Sequence, residues 1–224
     1  MPAIGPCVVR ARGAFDQASG SFVCPSSVGS ECIGPYAGPV LHHEVRQAVK
    51  RRLRAEHGDG SDTLYRDELG ICLGETRMDV AAINGQISGY EIKGDRDRQD
   101  RLARQIVLYS KVVDFAVLVT EGRFAGRGLD LVPEWWGVWR CVPNGTWPTI
   151  ELVRSPSVNP ITDPFAIAQL LWRDEVSAEL QDRGLAGGLR LATRWKLWDV
   201  MVANLSPTEI SETARRRLRA RRGW

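Results

Sequence analysis

The spacing of hydrophobic positions changes several times along this chain. From Leu41 to Gly58, the residues Leu41, Val45, Ala48, Val49 and Leu53 recur at helical spacing and leave the charged residues on the opposite face. Gly58 closes that predicted helix. Three shorter stretches then read as strands: residues 63–72 (TLYRDELGIC), 77–83 (RMDVAAI) and 86–93 (QISGYEIK). The Asn84-Gly85 dipeptide between the last two predicts a hairpin with a two-residue turn. Residues 95–113 return to helical spacing, with Leu102, Ile106, Tyr109 and Val113 on the buried face. Residues 114–120 (DFAVLVT) are almost wholly apolar, as a strand covered on both faces and parallel to a neighbour should be.

Helix, three strands, helix, strand is the order of an α/β domain with a central mixed sheet flanked by helices. Two further extended pieces follow at residues 132–141 and 149–154. From residue 164 the pattern is helical: residues 165–180, 189–205 and 206–222. Ser206, Pro207 and Glu209 form a capping box at the start of the last helix. Residues 1–39 differ from the rest, with six Gly, five Pro and five Ser among four charged residues, so an extended or poorly ordered lead-in is expected there. The expected organisation is that segment, a core over 40–158, and a helical C-terminal extension over 159–224.

Composition adds exclusions. With 43% hydrophobic and 25% charged residues, the chain is neither disordered, fibrous nor a coiled coil. No apolar run is long enough to span a bilayer, and Met1–Arg10 lacks the pattern of a secretory signal, so a cytoplasmic protein is expected. Five cysteines in no Cys-x-x-Cys pair argue against a disulfide framework. Cys24, Cys32, His42 and His43 fit no common zinc spacing. The formal charge of +3 becomes −3 once Arg215, Arg216, Arg217, Arg219, Arg221 and Arg222 are set aside. An acidic body with a basic end reads either as a polyanion-binding tail or as a solvated helix terminus.

The candidate chemistry lies in RMDVAAINGQISGYEIKGD. Asp79 falls on one strand of the hairpin, and Glu91 and Lys93 fall two apart on its partner, hence on one face. Two carboxylates, with the Ile92 carbonyl between Glu91 and Lys93, make an oxygen set suited to Mg²⁺ or Mn²⁺, and Lys93 can balance charge developing on a phosphate. Glu44 lies on the preceding helix, with Glu68 and Glu75 as other carboxylates near in sequence. Gln105 and Tyr109 are i, i+4 on the following helix.

A helix Glu, then Asp, Glu-x-Lys and Gln-x-x-x-Tyr resembles the PD-(D/E)XK nuclease superfamily, in particular its RecB-like members. The longer run from Arg77 to Val119, with VPEWWGVW and LLWRDE later, resembles an uncharacterised bacterial and phage family within it, over about residues 40–180. Met78 stands where the superfamily name has Pro. The resemblance implies a restriction-endonuclease-like core and a Mg²⁺-dependent nuclease, with DNA as the expected nucleic acid, a protein partner or homodimer as a further option, and no membrane. It implies Asp79 and Glu91 as metal ligands with the Ile92 carbonyl, Lys93 as the catalytic lysine, Glu44 as an assisting carboxylate, and Gln105 and Tyr109 as the helix pair that supports the site and contacts nucleic acid. Arg77 would touch a phosphate or pair with a carboxylate. The alternative function is a non-catalytic module, binding nucleic acid or a partner on a nuclease fold, or one component of a phage or bacterial conflict system. Trp135 and Trp136 are expected in packing rather than in base stacking. His42 and His43 are expected to be ordinary helix-start residues. The charged run from Asp95 to Arg101 is expected to be a solvated helix start.

Overall fold

The computed structural model describes residues 42–58, 62–94, 97, 99–121, 127–144 and 147–224. The expected lead-in over 1–39, with Cys24 and Cys32, lies outside the described residues.

Helix α1 (His42–His57) precedes a meander of β1 (Leu64–Ile71), β2 (Thr76–Ile83) and β3 (Ile87–Lys93). Helix α2 (Gln99–Ser110) crosses to β4 (Phe115–Thr120), and the short α3 (Gly128–Leu131) leads to β5 (Gly137–Val142) and β6 (Thr149–Arg154). Among the described residues the six strands form one sheet in chain order, β1 to β6. The β3–β4 and β4–β5 pairs are parallel and the others antiparallel. The α/β reading therefore holds, as does the parallel placement of the apolar run in β4.

Each face of the sheet is covered by the helix whose stripe the sequence supplies. Val45, Val49 and Leu53 of α1 pack on Val80, Tyr90, Ile92, Val117 and Val119. Leu102, Leu108 and Tyr109 of α2 pack on the other face with Ala81, Leu118, Trp136 and Val138. Burying each such side chain contributes about 1.5–3 kcal/mol, so α1 is fixed by its three anchors rather than by helix propensity alone. Trp136 is wholly buried and Trp135 packs against the same core, as expected of packing residues.

Three boundaries differ from the sequence reading. The hairpin turn has three residues: Ile83 pairs with Ile87, and the Gln86 amide donates to the Asn84 side chain at 3.0 Å. That asparagine–backbone bond substitutes for the tighter turn that Asn-Gly suggests. The 165–180 segment is two helices, α4 (Pro164–Ala168) and α5 (Arg173–Asp182), because the extended Trp172 offers its amide to Glu175 at 2.7 Å and starts a new helix. Helix α6 starts only at Arg194, where Thr193 caps it, and ends at Asn204. Helix α7 (Pro207–Ala220) carries the expected capping box, with Ser206 Oγ accepting from the Glu209 amide at 3.3 Å.

The arginine-rich end is neither a free tail nor a fraying terminus. Arg215 pairs with Asp114 at 2.7 Å, Arg216 and Arg217 with Glu179 at 2.6 and 3.0 Å, and Arg221 with Glu175. These bonds place the basic residues against acidic residues of α5 and of the loop before β4, so the sequence-level charge asymmetry is largely cancelled in space. Among the described residues, no helix is long and apolar enough to cross a membrane.

Candidate active site

The site forms where the sheet opens. The β2–β3 ladder runs from Ile83–Ile87 to Val80–Tyr90. Continuing that register sets Asp79 across from Glu91. Here a side chain replaces the backbone partner, and the Ile92 amide donates to Asp79 Oδ2 at 2.7 Å. The three-residue turn is essential to this placement. A two-residue turn would shift β3 by one position and send Glu91 to the other face.

A second irregularity lies on the other side of Asp79. Ala81 and Ile83 face α2, and Met78, only three residues before Ala81, faces α2 as well. In β1 the same core takes Leu64 and Leu69, five residues apart. Alternation therefore slips by one residue in both strands. Glu68 sits at the slip in β1, between the pairs Asp67–Val80 and Leu69–Met78, with φ 54°. A left-handed non-glycine residue costs about 1–2 kcal/mol, and such strain persists where the surrounding structure holds it.

Glu91 is the hub. It is 2% exposed and bound by three donors from two elements. Lys93 Nζ and Gln105 Nε2 donate to its Oε1, the latter at 2.6 Å, and the Tyr109 hydroxyl donates to Oε2 at 2.7 Å. Lys93, Gln105 and Tyr109 are themselves buried. A carboxylate removed from water in this way is tolerated only because a cation and two hydrogen-bond donors replace its hydration. Burial and the Glu91 charge push the Tyr109 hydroxyl well above its ordinary pKa, so it stays protonated and donates.

Asp79 is differently placed. Burial first, and then the neighbouring Glu91 charge, push its carboxyl up to about 7. Its Oδ1 lies 3.8 Å from both His42 Nε2 and Arg46 Nη2, and Arg46 also pairs with Glu68. Burial and Arg46 lower the His42 pKa, which favours a neutral imidazole.

The structure thus brings together Asp79, Glu91, Lys93, Gln105 and Tyr109, the expected set. Arg77 is exposed and lines the same cleft, of about 340 Å³, with Asp79, Gln105, Arg101 and Arg104. Glu44, expected as the assisting carboxylate, lies in the first turn of α1, and its charge bears on the buried Cys141 thiol of β5. The carboxylate whose charge bears on Asp79, after Glu91, is Glu68. His42 is also placed otherwise than expected, beside Asp79 rather than as an ordinary helix-start residue. The signal that identifies it is its position four residues before Arg46, so that one face of α1 presents both to the same oxygen. Among the described residues no group of three or more His, Cys, Asp or Glu converges closely enough to hold an ion unaided.

Comparison with curated proteins gives no match, and none of the solved structures matches either. Residues 41–223 match the model of the family described as bacteriophage P4 protein cII, a span that holds α1, the whole sheet and the C-terminal helices, and the chain belongs to that family.

Proposed function

We propose that this protein is a Mg²⁺- or Mn²⁺-dependent nuclease that hydrolyses phosphodiester bonds, with DNA as the expected substrate. One observation carries the reading. Glu91, Lys93, Gln105 and Tyr109 form a buried, hydrogen-bonded unit directly beside Asp79, at the edge where β2 and β3 part, with Gln105 Oε1 buried and unpartnered. The element order agrees with the resemblance of the sequence to the PD-(D/E)XK superfamily: α1, three antiparallel strands, α2 and a parallel β4.

The donor chemistry fits a hard divalent cation. Two carboxylates repel one another enough to help raise Asp79 to about 7, and a cation held by Asp79 and Glu91 would relieve that repulsion. Mg²⁺ needs only one or two protein carboxylates, because water and substrate phosphate complete its shell. The Ile92 carbonyl leaves β3 on the same edge as its amide, which Asp79 engages, and neutral His42 faces the other oxygen of Asp79. When bound, the cation would supply charge neutralisation at phosphorus and a more acidic water. The chain's own residues supply the rest. Ile92 fixes the Asp79 carboxylate, and Gln105 and Tyr109 fix Glu91. Lys93, which is bonded to Glu91, would balance the charge that develops on the phosphate and orient the attacking water. Arg77, Arg101 and Arg104 hold the strand at the rim of the cleft.

The test is cleavage of labelled single- and double-stranded DNA and RNA with Mg²⁺ or Mn²⁺, by the wild type and by Lys93→Gln. The wild type should cut, and the variant should bind but cut at least about a hundredfold more slowly. An inert wild type, or a variant that cuts at the wild-type rate, refutes the proposal. A binding module without turnover is the second reading. It is favoured by the protein donors that both Glu91 oxygens already engage, and it predicts that the wild type binds and never cuts.

A further inference from the structure

A second groove, of about 320 Å³, adjoins the cleft and shares Glu68 and Gly74 with it. Its far wall is built from rings and guanidinium groups in alternation. Arg221 lies 4.2 Å from the Trp172 ring centroid and 4.6 Å from that of Trp224, and Arg66 lies 4.7 Å from Trp224 on the same ring system. Trp172, Arg221, Trp224 and Arg66 therefore make one cation–π stack. Glu175 binds Arg221 through two bonds, and the Leu170 carbonyl accepts from it at 2.9 Å, so the guanidinium at the centre of the stack is anchored by three hydrogen bonds.

The outer member, Trp172, is 50% exposed. A half-exposed indole held from beneath has already lost its rotamer freedom, so stacking a further flat group on it costs little additional entropy. The charges around it divide into two kinds. Arg221 is neutralised by Glu175, whereas Arg66 and Arg194 make cation–π contacts and, among the described residues, no ion pair. Both line the groove and can receive an anion. Between groove and cleft the floor is bare backbone at Gly74, where an added Cβ would meet nothing within 4 Å.

We propose that this groove holds an unpaired stretch of nucleic acid, one base stacked on Trp172 and its phosphates on Arg66 and Arg194, next to the phosphate that the nuclease reading, on which this inference rests, puts at Asp79 and Lys93. An unpaired base is required because a duplex buries its base faces against each other, and stacking on an aromatic needs a free face. The substrate class that follows is a single strand or a frayed end rather than continuous duplex.

The experiment is fluorescence anisotropy of the full chain in EDTA, so that no cleavage occurs. Labelled unpaired DNA and RNA oligomers of about twelve nucleotides are compared with a blunt hairpin duplex. Trp172→Ala should weaken unpaired-strand binding by about tenfold, since base–aromatic stacking contributes on that order. Trp172→Tyr should restore most of it. Arg194→Gln should weaken it less and reduce its salt dependence by about one phosphate contact. Duplex binding should be unchanged in all three. A preference for the DNA or the RNA oligomer assigns the sugar, and equal binding assigns readout to base and phosphate alone. Trp172→Ala and Arg194→Gln binding like the wild type, or losing duplex as much as single strand, overturns the proposal. Should Trp172→Ala fail to fold, Trp172→Leu, which keeps the apolar bulk and removes the ring, takes its place beside Arg194→Gln under the same criteria. A wild type that binds single strands through Trp172 but cuts nothing keeps the groove and removes the nuclease. Cleavage with no Trp172 dependence of binding does the reverse.

Discussion

Replacing Asp79 by Asn should make the metal-free protein more stable while abolishing its metal response. The fold raises the Asp79 carboxyl from 3.8 to about 7. A folded pKa above the unfolded one means that the native state binds the proton more tightly, so wild-type stability falls as pH rises from about 4 to about 7 and is flat beyond. At roughly 1.4 kcal/mol per pKa unit, full ionisation costs up to about 4 kcal/mol. The Asn side chain is neutral at every pH, and its carbonyl still accepts from the Ile92 amide. Its amino group, however, faces Arg46 and His42, which takes back part of the gain. A net gain of about 2 kcal/mol is expected near pH 8, equivalent to a melting temperature higher by roughly 4–8 °C for a chain of this size. The assay is thermal and urea unfolding of both proteins in EDTA across about pH 4.5 to 8, repeated with Mg²⁺. The gap should open with rising pH. Mg²⁺ should raise the wild type alone and narrow the gap, because a ligand stabilises only the protein that binds it. An Asp79→Asn variant less stable than wild type near pH 8, or a gap independent of pH, would refute the electrostatic account of the site.

Gly89→Ala tests the packing that holds Tyr109. A Cβ there would lie 2.6 Å from Met78 Sδ and 3.0 Å from the Tyr109 ring, so the variant should lose about 1–3 kcal/mol in urea unfolding and most of any cleavage activity. Tyr109→Phe removes one of the three donors to Glu91 and should cost about 1–3 kcal/mol by the same measurement, with the Lys93–Glu91 pair retained. Glu179 lies on α5 beneath Arg183, Arg216 and Arg217. Burial raises its pKa, but hydrogen bonds from these arginines prevail and hold it at about 2. Its contribution is present above about pH 4.5 and is lost as pH falls toward 2. Glu179→Gln should therefore cost about 3 kcal/mol at neutral pH, and an acid titration of unfolding should show the difference vanish. A Glu179→Gln protein as stable as wild type at neutral pH would return the arginine-rich end to the status of a free tail.

The local pattern of the sequence determined the elements. The stripe Val45, Val49, Leu53, the apolar run of β4 and the Ser206–Glu209 box each set their own helix, strand or cap, because helical and strand periodicity and capping act over a few residues. The candidate site was legible for the same reason. Glu91 and Lys93 are two apart on one strand, and Gln105 and Tyr109 are four apart on one helix, so each pair shares a face before any tertiary contact forms. What the sequence left open depends on distances between elements. The extra turn residue, Gln86, decides that Asp79 faces Glu91. The slip at Glu68 decides which carboxylate joins Asp79, and the docking of α1 decides that His42 and Arg46 reach it while the Glu44 charge bears on Cys141. The arginines of α7 and the residues after it look like a free basic tail in one dimension. Their partners, Asp114, Glu175 and Glu179, lie from 37 to 101 residues away and meet them only when α7 packs against α5 and against the loop before β4. Net charge is a property of composition, whereas charge presented to a ligand is what remains after long-range pairing, and only the tertiary structure sets that pairing.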